Sequence, residues 1–335
     1  MKSIDYICYS GSTGYAFAAK NTIKALQSEN IKINICDIRD KHEFTSDFVL
    51  YHCLPDQQLK HKTKLPQIGY ATFEASVLPP HWKAYINMNK FIIVPSRFNQ
   101  AMVENAGFKN VIYVPHCLNF DEYNENVVPS KKFDNRFHFL TMGTWKERKN
   151  HKEVICGFLK EFNDLEATLT IKTSQIGHTS VVNAVAEIAK KLGKKYSHII
   201  VNTNDLRDCE IPSFMKNYNA FISASLGEGF GLTGFQAMAL KVPTILTFYS
   251  GMTDYTNDEN CYKLLPERFL KRDLDGLIQF QKQLWPVIGS EQIGSQMRKC
   301  FNENELRDKK AEIAYLEIGE KFNYKNSVKE LIELL

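Results

Sequence analysis

Short apolar runs rich in β-formers alternate along this chain with helical stretches, and the alternation runs through twice. The first series opens with IDYICYS at residues 4–10, the turn GSTG, and YAFAAKNTIKALQSE, where Ala16, Ala19, Ile23 and Leu26 fall on one helical face. IKINICDI, DFVLYHCLP, PQIGYATFEA, FIIVPS and NVIYVPH follow as strands, and RFNQAMVENAG as a helix that ends at Gly107. After the polar stretch DEYNENVVPSKKFDNR (121–136) the pattern restarts. FHFLTMG, ATLTIKTS, HIIVNT, AFISAS and VPTILTFYS read as strands. HKEVICGFLKEF, VVNAVAEIAKKLG and IPSFMKNY read as helices between them. Strands alternating with helices predict parallel, doubly wound sheets, so the fold class is α/β.

A chain of 335 residues exceeds what one hydrophobic core organises, so two domains are expected. Residues 1–130 form the first, 136–320 the second, and 121–136 serve as linker. Two such halves imply a cleft between them, with ligand beyond the carboxyl ends of the strands. The charges, 42 basic against 38 acidic, are too balanced to point to nucleic acid as such, and leave room for a local anion site or an anionic membrane surface. The eight cysteines show neither a CxxC pair nor zinc spacing and read as reduced core thiols. No run of 18 apolar residues is present and the N-terminus lacks a signal-peptide core, so a cytoplasmic protein is expected.

The chemistry concentrates in LGEGFGLTGFQAMAL, residues 226–240. It follows the strand AFISAS directly, so it lies at that strand's carboxyl end. A helix starts near Leu232, and its first N–H groups and dipole attract an anion. Gly229 and Gly231 let a phosphate approach the backbone. A carboxylate beside a phosphate is repelled by it, so Glu228 makes sense as an acceptor for sugar hydroxyls. Gln236, one turn into the helix, is placed to bond another hydroxyl pair, such as those of a ribose. The plainer alternative is that Glu228 caps the helix and the glycines make a tight turn.

SASLGEGFGLTGFQAMALKVPTI resembles the signature of the retaining family-4 glycosyltransferases of the GT-B fold, in which two glutamates are separated by seven residues, with GFG after the first. YSGSTGYAFAAKNTIKAL, FIIVPSRFNQAMVENAGFKNVIYVPHCLN, FLTMGTWKERKNHKEVICGF, SGMTDYTNDENCYKL and FNYKNSVKELIELL are similar to further parts of that family, so the likeness runs along most of the chain. It implies two Rossmann-like domains facing a central cleft, with the helix of residues 322–335 packed back on the first. It also implies transfer of a sugar from a nucleotide-diphosphate sugar to an acceptor, a glycan or a lipid-linked saccharide, with retention at the anomeric carbon. Two readings stand beside it: transfer to modified DNA bases, and a sugar-nucleotide-binding homologue without turnover.

By the same resemblance Glu228, Lys149 and Glu74 are the catalytic candidates. Glu228 grips the donor sugar, Lys149 stabilises the leaving diphosphate, and Glu74 lies on the acceptor side. Gly14, Thr144, Arg148, Gly229, Phe230, Gly231, Leu232 and Gln236 are the remaining donor-binding candidates. His52 and Asp254 are weaker ones. The chain departs from the pattern at three places. Gln236 stands where a second glutamate is usual, Thr144 where an arginine is, and Cys117 where a glycine is. Lys146 or Arg148 replaces the missing arginine charge. No DxD pair with strand context occurs, so lysine and helix N-terminus take the place of a metal, and no cofactor is expected beyond the donor itself. The expected partners are a nucleotide sugar, an acceptor and a peripheral contact with the inner face of a membrane, with no obligate protein partner. A DNA acceptor would call for a basic stripe, for which Lys60, Lys62 and Lys64 are the candidates.

Overall fold

The computed structural model describes every residue except 1, 12, 61–62, 132 and 175–177, and for 59 and 60 the backbone only. Lys62 and the side chain of Lys60 therefore lie outside the described residues, and Lys64 is exposed. The chain divides into two compact units. The first comprises residues 1–119, 228–232 and 320–335, and the second 120–227 and 233–319.

The first unit is built from β1 (Ser3–Cys8), α1 (Gly14–Ser28), β2 (Lys32–Asp37), β3 (Phe48–His52), β4 (Gln67–Tyr70), α2 (Lys83–Ile86), β5 (Phe91–Val94), α3 (Arg97–Asn105) and β6 (Val111–Tyr113). Its strands form one parallel sheet in the order β2-β1-β3-β4-β5-β6. Ile4, Tyr6, Leu50, Ile68 and Ile93 are buried under α1, whose Ala19, Ile23 and Leu26 form the apolar stripe expected from their spacing. The strand order reverses between β1 and β3, so the loops after Cys8 and His52 flank the position where this topology places ligands.

The second unit contains β7 (Phe137–Met142), α4 (His151–Glu161), β8 (Ala167–Lys172), α5 (His178–Leu192), β9 (Ile199–Asn202), α6 (Ile211–Met215), β10 (Ala220–Ser223), α7 (Leu232–Ala239), β11 (Thr244–Thr247) and β12 (Tyr262–Leu264). A two-stranded antiparallel hairpin follows, β13 (Arg268–Arg272) and β14 (Gln283–Val287), then α8 (Ser290–Asn302) and α9 (Asn304–Lys321). The main sheet is parallel, with order β12-β11-β10-β7-β8-β9. Counted from β7 this is the dinucleotide-fold order, and its switch point lies between β7 and β10. The loop 143–150 and the glycine segment leave the sheet at those two strand ends.

Two features differ from the sequence expectation. The described residues of 121–136 carry no helix or strand, yet they belong to the second unit rather than hanging as a linker, and the first unit gives way to it at Asn119 rather than residue 130. Tyr123 is buried there, the Ser130 N–H donates to Ser213 O at 3.1 Å, and Lys241 pairs with Glu125 at 3.0 Å. The hairpin and the helices α8 and α9 were not read from the sequence at all. Within α4, Gly157 has a packing reason: a Cβ there would stand 2.6 Å from Ser290 O and 2.9 Å from Gly294 N. α4 and α8 therefore meet backbone to backbone. The last helix, α10 (Tyr324–Leu334), belongs to the first unit and buries Val328 and Leu331 in the core shared with α1. No described helix is long and apolar enough to cross a membrane.

Candidate functional site

In the second unit the loop after β7 folds as a tight turn over Glu147–Lys149. Asn150 then takes the left-handed conformation (φ 58°) and α4 begins. Asparagine tolerates that conformation better than most residues, and here its Nδ2 donates to Ile288 O at 3.1 Å. The Lys149 chain runs beside Gly143: its Cδ and Cε lie 3.5 Å from where a Cβ of Gly143 would be. Lys149 is half-buried and Thr144 is exposed. The Trp145 and His151 rings lie nearly parallel, 4° apart in plane with centroids at 5.5 Å. They form part of the wall of a 360 Å³ cavity that also meets Lys146, Asn150, Leu226 and Arg272.

Arg148 is buried, and its role is to hold the backbone. Its Nη1 donates to Gly227 O at 2.6 Å, its own carbonyl accepts from Leu226 N at 2.8 Å, and Ser225 Oγ donates to that same carbonyl at 3.3 Å. From the other side, Asp275 in the hairpin connection accepts from Arg148 N at 3.3 Å and stands 3.9 Å from Nε. The basic loop and the strand end before Glu228 are thus tied together by one guanidinium. Arg148, expected from the resemblance to contact diphosphate, engages the Gly227 carbonyl with its Nη1. Gln236 is buried, and its Nε2 donates to the Tyr123 phenol at 2.8 Å. A neutral amide can be buried against a phenol at little cost, where a carboxylate would demand a charged partner.

The segment 228–232 groups with the first unit. Gly229 presses against Thr72 so closely that a Cβ would lie 2.0 Å from Thr72 Oγ1. Gly231 has φ +90°, which favours glycine at the turn into α7. Leu232 Cδ1 lies 3.8 Å from where a Cβ of Gly14 would be, at the first residue of α1. Phe230 is buried, with its ring 4.9 Å from that of His116 and 5.9 Å from that of Phe322. Glu228 itself is half-buried.

Thr72 belongs to the loop that carries Glu74. Asn99, fully buried at the start of α3, clamps this loop: its Nδ2 donates to Phe73 O at 2.6 Å and its Oδ1 accepts from Phe73 N at 3.2 Å. Glu74 sits half-buried between buried Phe73 and Ala75. Beneath lies a buried network the sequence reading did not foresee. The Tyr6 phenol is 2.6 Å from His52 Nδ1, the Tyr70 phenol is 3.2 Å from His116 Nε2, and the His52 and Tyr70 rings meet with centroids 3.8 Å apart and planes tilted by 31°. His52 is therefore a core histidine at the end of β3. Burial, and then the neighbouring His116, push the His52 pKa well down; burial alone takes His116 to about 3. Both rings are neutral at physiological pH. Cys117, at the glycine position of the pattern, is buried too, and burial raises its thiol to about 12. Asp254 ends a short turn after β11 and is half-buried.

Residues 123–278, a little under half of the chain, match the family model of the glycosyl transferases group 1. That stretch is a glycosyltransferase domain. The whole chain is similar to Anabaena HepE, solved with UDP and glucose, at 11% identity and TM-score 0.71 over 100% of both chains. It is similar to a glycosyltransferase from Rickettsia africae at 16% identity and TM-score 0.69, covering 99% of this chain and 97% of that one. The lipopolysaccharide outer core galactosyltransferase WaaB follows at 15% and 0.67 over 100% of both chains. These likenesses establish the fold as GT-B. A search of curated proteins gave no significant match.

Proposed function

We propose that this glycosyltransferase moves a hexose from a nucleotide-diphosphate donor to a saccharide acceptor, with retention of anomeric configuration. The observation that carries this is the 2.6 Å bond from Arg148 to Gly227 O. The bond ties the loop after β7 to the end of the strand that leads into the glycine segment, at the switch point of a dinucleotide-type sheet. HepE has been solved with UDP-glucose, which makes UDP-glucose the first donor to test.

The diphosphate gains charge as it leaves. Lys149 and the first N–H groups of α7 are the groups to stabilise it, acting where the charge develops. Gly231 keeps a side chain out of the phosphate's approach, and Gly229 makes room for Thr72 beside Glu228. The Glu228 carboxylate accepts hydrogen bonds from donor-sugar hydroxyls, and such charge-assisted bonds are about twice as strong as neutral ones. Arg148 and Gln236 act as positioning residues, one for the glycine segment and one for the chain around Tyr123. Glu74, on the loop held by Asn99, faces the acceptor side.

Proton NMR of UDP-glucose incubated with the protein tests the reading. The first sugar released or transferred is expected in the α configuration of the donor. A β product would overturn the retaining assignment, and an unchanged donor with no binding would overturn the donor itself.

A further inference from the structure

A second cavity, of 420 Å³, lies wholly in the first unit between α1 and β2, the edge strand of its sheet. Its size falls in the range of small-molecule sites. Ile35 on the edge strand and Ile23 on α1 face it, with Cys8 at the end of β1. Ile35 is 62% exposed, whereas Ile33 on the same strand face packs against the core shared with α1. Burial holds the Cys8 thiol neutral, raising it to about 11, so this part of the wall behaves as apolar surface. The rim is cationic. Lys20 and Lys24, one turn apart on α1, line the cavity, and Lys20 Nζ donates to Gly11 O at 3.1 Å. Asp37 also lines it, but its carboxylate is engaged by Arg39, whose Nε donates to it at 2.7 Å. An apolar floor under a lysine rim suits a ligand with a hydrocarbon part and a negative charge.

We infer that this cavity binds the hydrocarbon-phosphate portion of an amphiphilic acceptor, with the chain on Ile23 and Ile35 and the phosphate at Lys20 and Lys24. The assignment to the acceptor rests on the glycosyltransferase reading; the binding chemistry does not. The cavity reaches Gly11 in the same β1–α1 connection that leads to Gly14, so a sugar carried on the phosphate would extend along that loop.

The test titrates the full chain with decyl phosphate below its micellar concentration, with decanol and inorganic phosphate as the two half-probes. Calorimetry measures affinity, and amide NMR shifts locate the site. Decyl phosphate is expected to bind at least roughly tenfold more tightly than either half-probe, shifting residues of β2 and of α1 from Lys20 to Gln27. Ile35→Asp should weaken it by at least roughly tenfold, because a carboxylate replaces apolar floor and repels the phosphate; Lys24→Glu should weaken it similarly. Ile35 is exposed, so neither change threatens the core. UDP-glucose affinity, measured in the same samples, should stay unchanged. If decyl phosphate binds and UDP-glucose does not, the donor reading fails while the cavity stands. The inference is overturned if Ile35→Asp leaves decyl phosphate affinity unchanged or if the shifts fall elsewhere. It is also overturned if the wild-type chain pairs through β2 in a dimer that Ile35→Asp dissolves, since the edge strand would then serve a second copy.

Discussion

Alanine at position 229 is the sharpest probe of how Glu228 is placed. The added Cβ would meet Thr72 Oγ1 at 2.0 Å, Thr72 Cβ at 3.3 Å and Asn99 Oδ1 at 3.4 Å. The first distance is far inside van der Waals contact, so something must move. Thr72 can turn aside only by giving up its 3.3 Å contact with Asn99, and Asn99 is itself bonded on both sides of Phe73. Overpacking of this kind costs roughly 1–3 kcal/mol. A shift of about 1 Å in the adjacent Glu228 would lower turnover by about 100-fold. Gly229→Ala, Thr72→Ala and the double variant are compared by urea unfolding and by UDP-glucose turnover. Thr72→Ala alone should cost roughly 0.5–1.5 kcal/mol for its lost hydrogen bond. The double variant should cost less than the sum by about 1 kcal/mol or more, since the methyl then has room, and should regain part of the turnover. Strict additivity, or a neutral Gly229→Ala, would refute the contact as the device that sets Glu228.

Arg148→Met should destabilise by roughly 3–5 kcal/mol, because it strands the Asp275 carboxylate, 3% exposed, along with the Gly227 carbonyl. Adding Asp275→Leu should restore part of the melting temperature. Lys149→Ala should lower kcat by about 100- to 1000-fold with a smaller change in donor affinity, measured by steady-state kinetics; a change in KM alone would mean that Lys149 serves binding only. His52 and His116 have folded pKa values below the ordinary 6.5. The unfolded chain therefore takes up protons first as the pH falls, and stability present above about 6.5 declines below it, for His116 down to about 3. Each histidine contributes about 1.4 kcal/mol per pH unit, so urea midpoints at pH 7.5 and 5.5 should differ, and His116→Asn should flatten the difference.

The fold was legible where local pattern and tertiary role agree. Strands such as FIIV and the alternating faces of α1 carry their burial in their spelling, so the parallel sheets and the restart after residue 136 could be read directly. Elements with a thin apolar stripe could not. α9 buries only Ala311, Ala314 and Ile318, and β13 is exposed along nearly all its length, so neither shows a clear period. At the site, that glycines are needed was readable from their recurrence, but not the reason at each: Gly231 takes φ +90°, and Gly229 makes room for the Thr72 side chain. The partners of long polar side chains were not readable. Arg148 reads as a second phosphate cation and Gln236 as a ribose ligand, and the sequence gives no sign that Arg148 Nη1 donates to Gly227 O or Gln236 Nε2 to the Tyr123 phenol. Sequence order gives the charge of a group but not the nearest buried acceptor. Asn99, which clamps the Glu74 loop, carries no motif at all; a buried asparagine just inside a helix start is its only trace.

The central claim is that Glu228 works on the donor sugar while the nucleotide is held elsewhere. Calorimetric affinity for UDP-glucose and the rate of UDP release, compared between the wild-type chain and Glu228→Gln, address it most directly. Binding should persist within about tenfold, while UDP release falls by about 100-fold or more, because the amide keeps the shape and loses the charge. UDP release at the wild-type rate in Glu228→Gln would contradict the account.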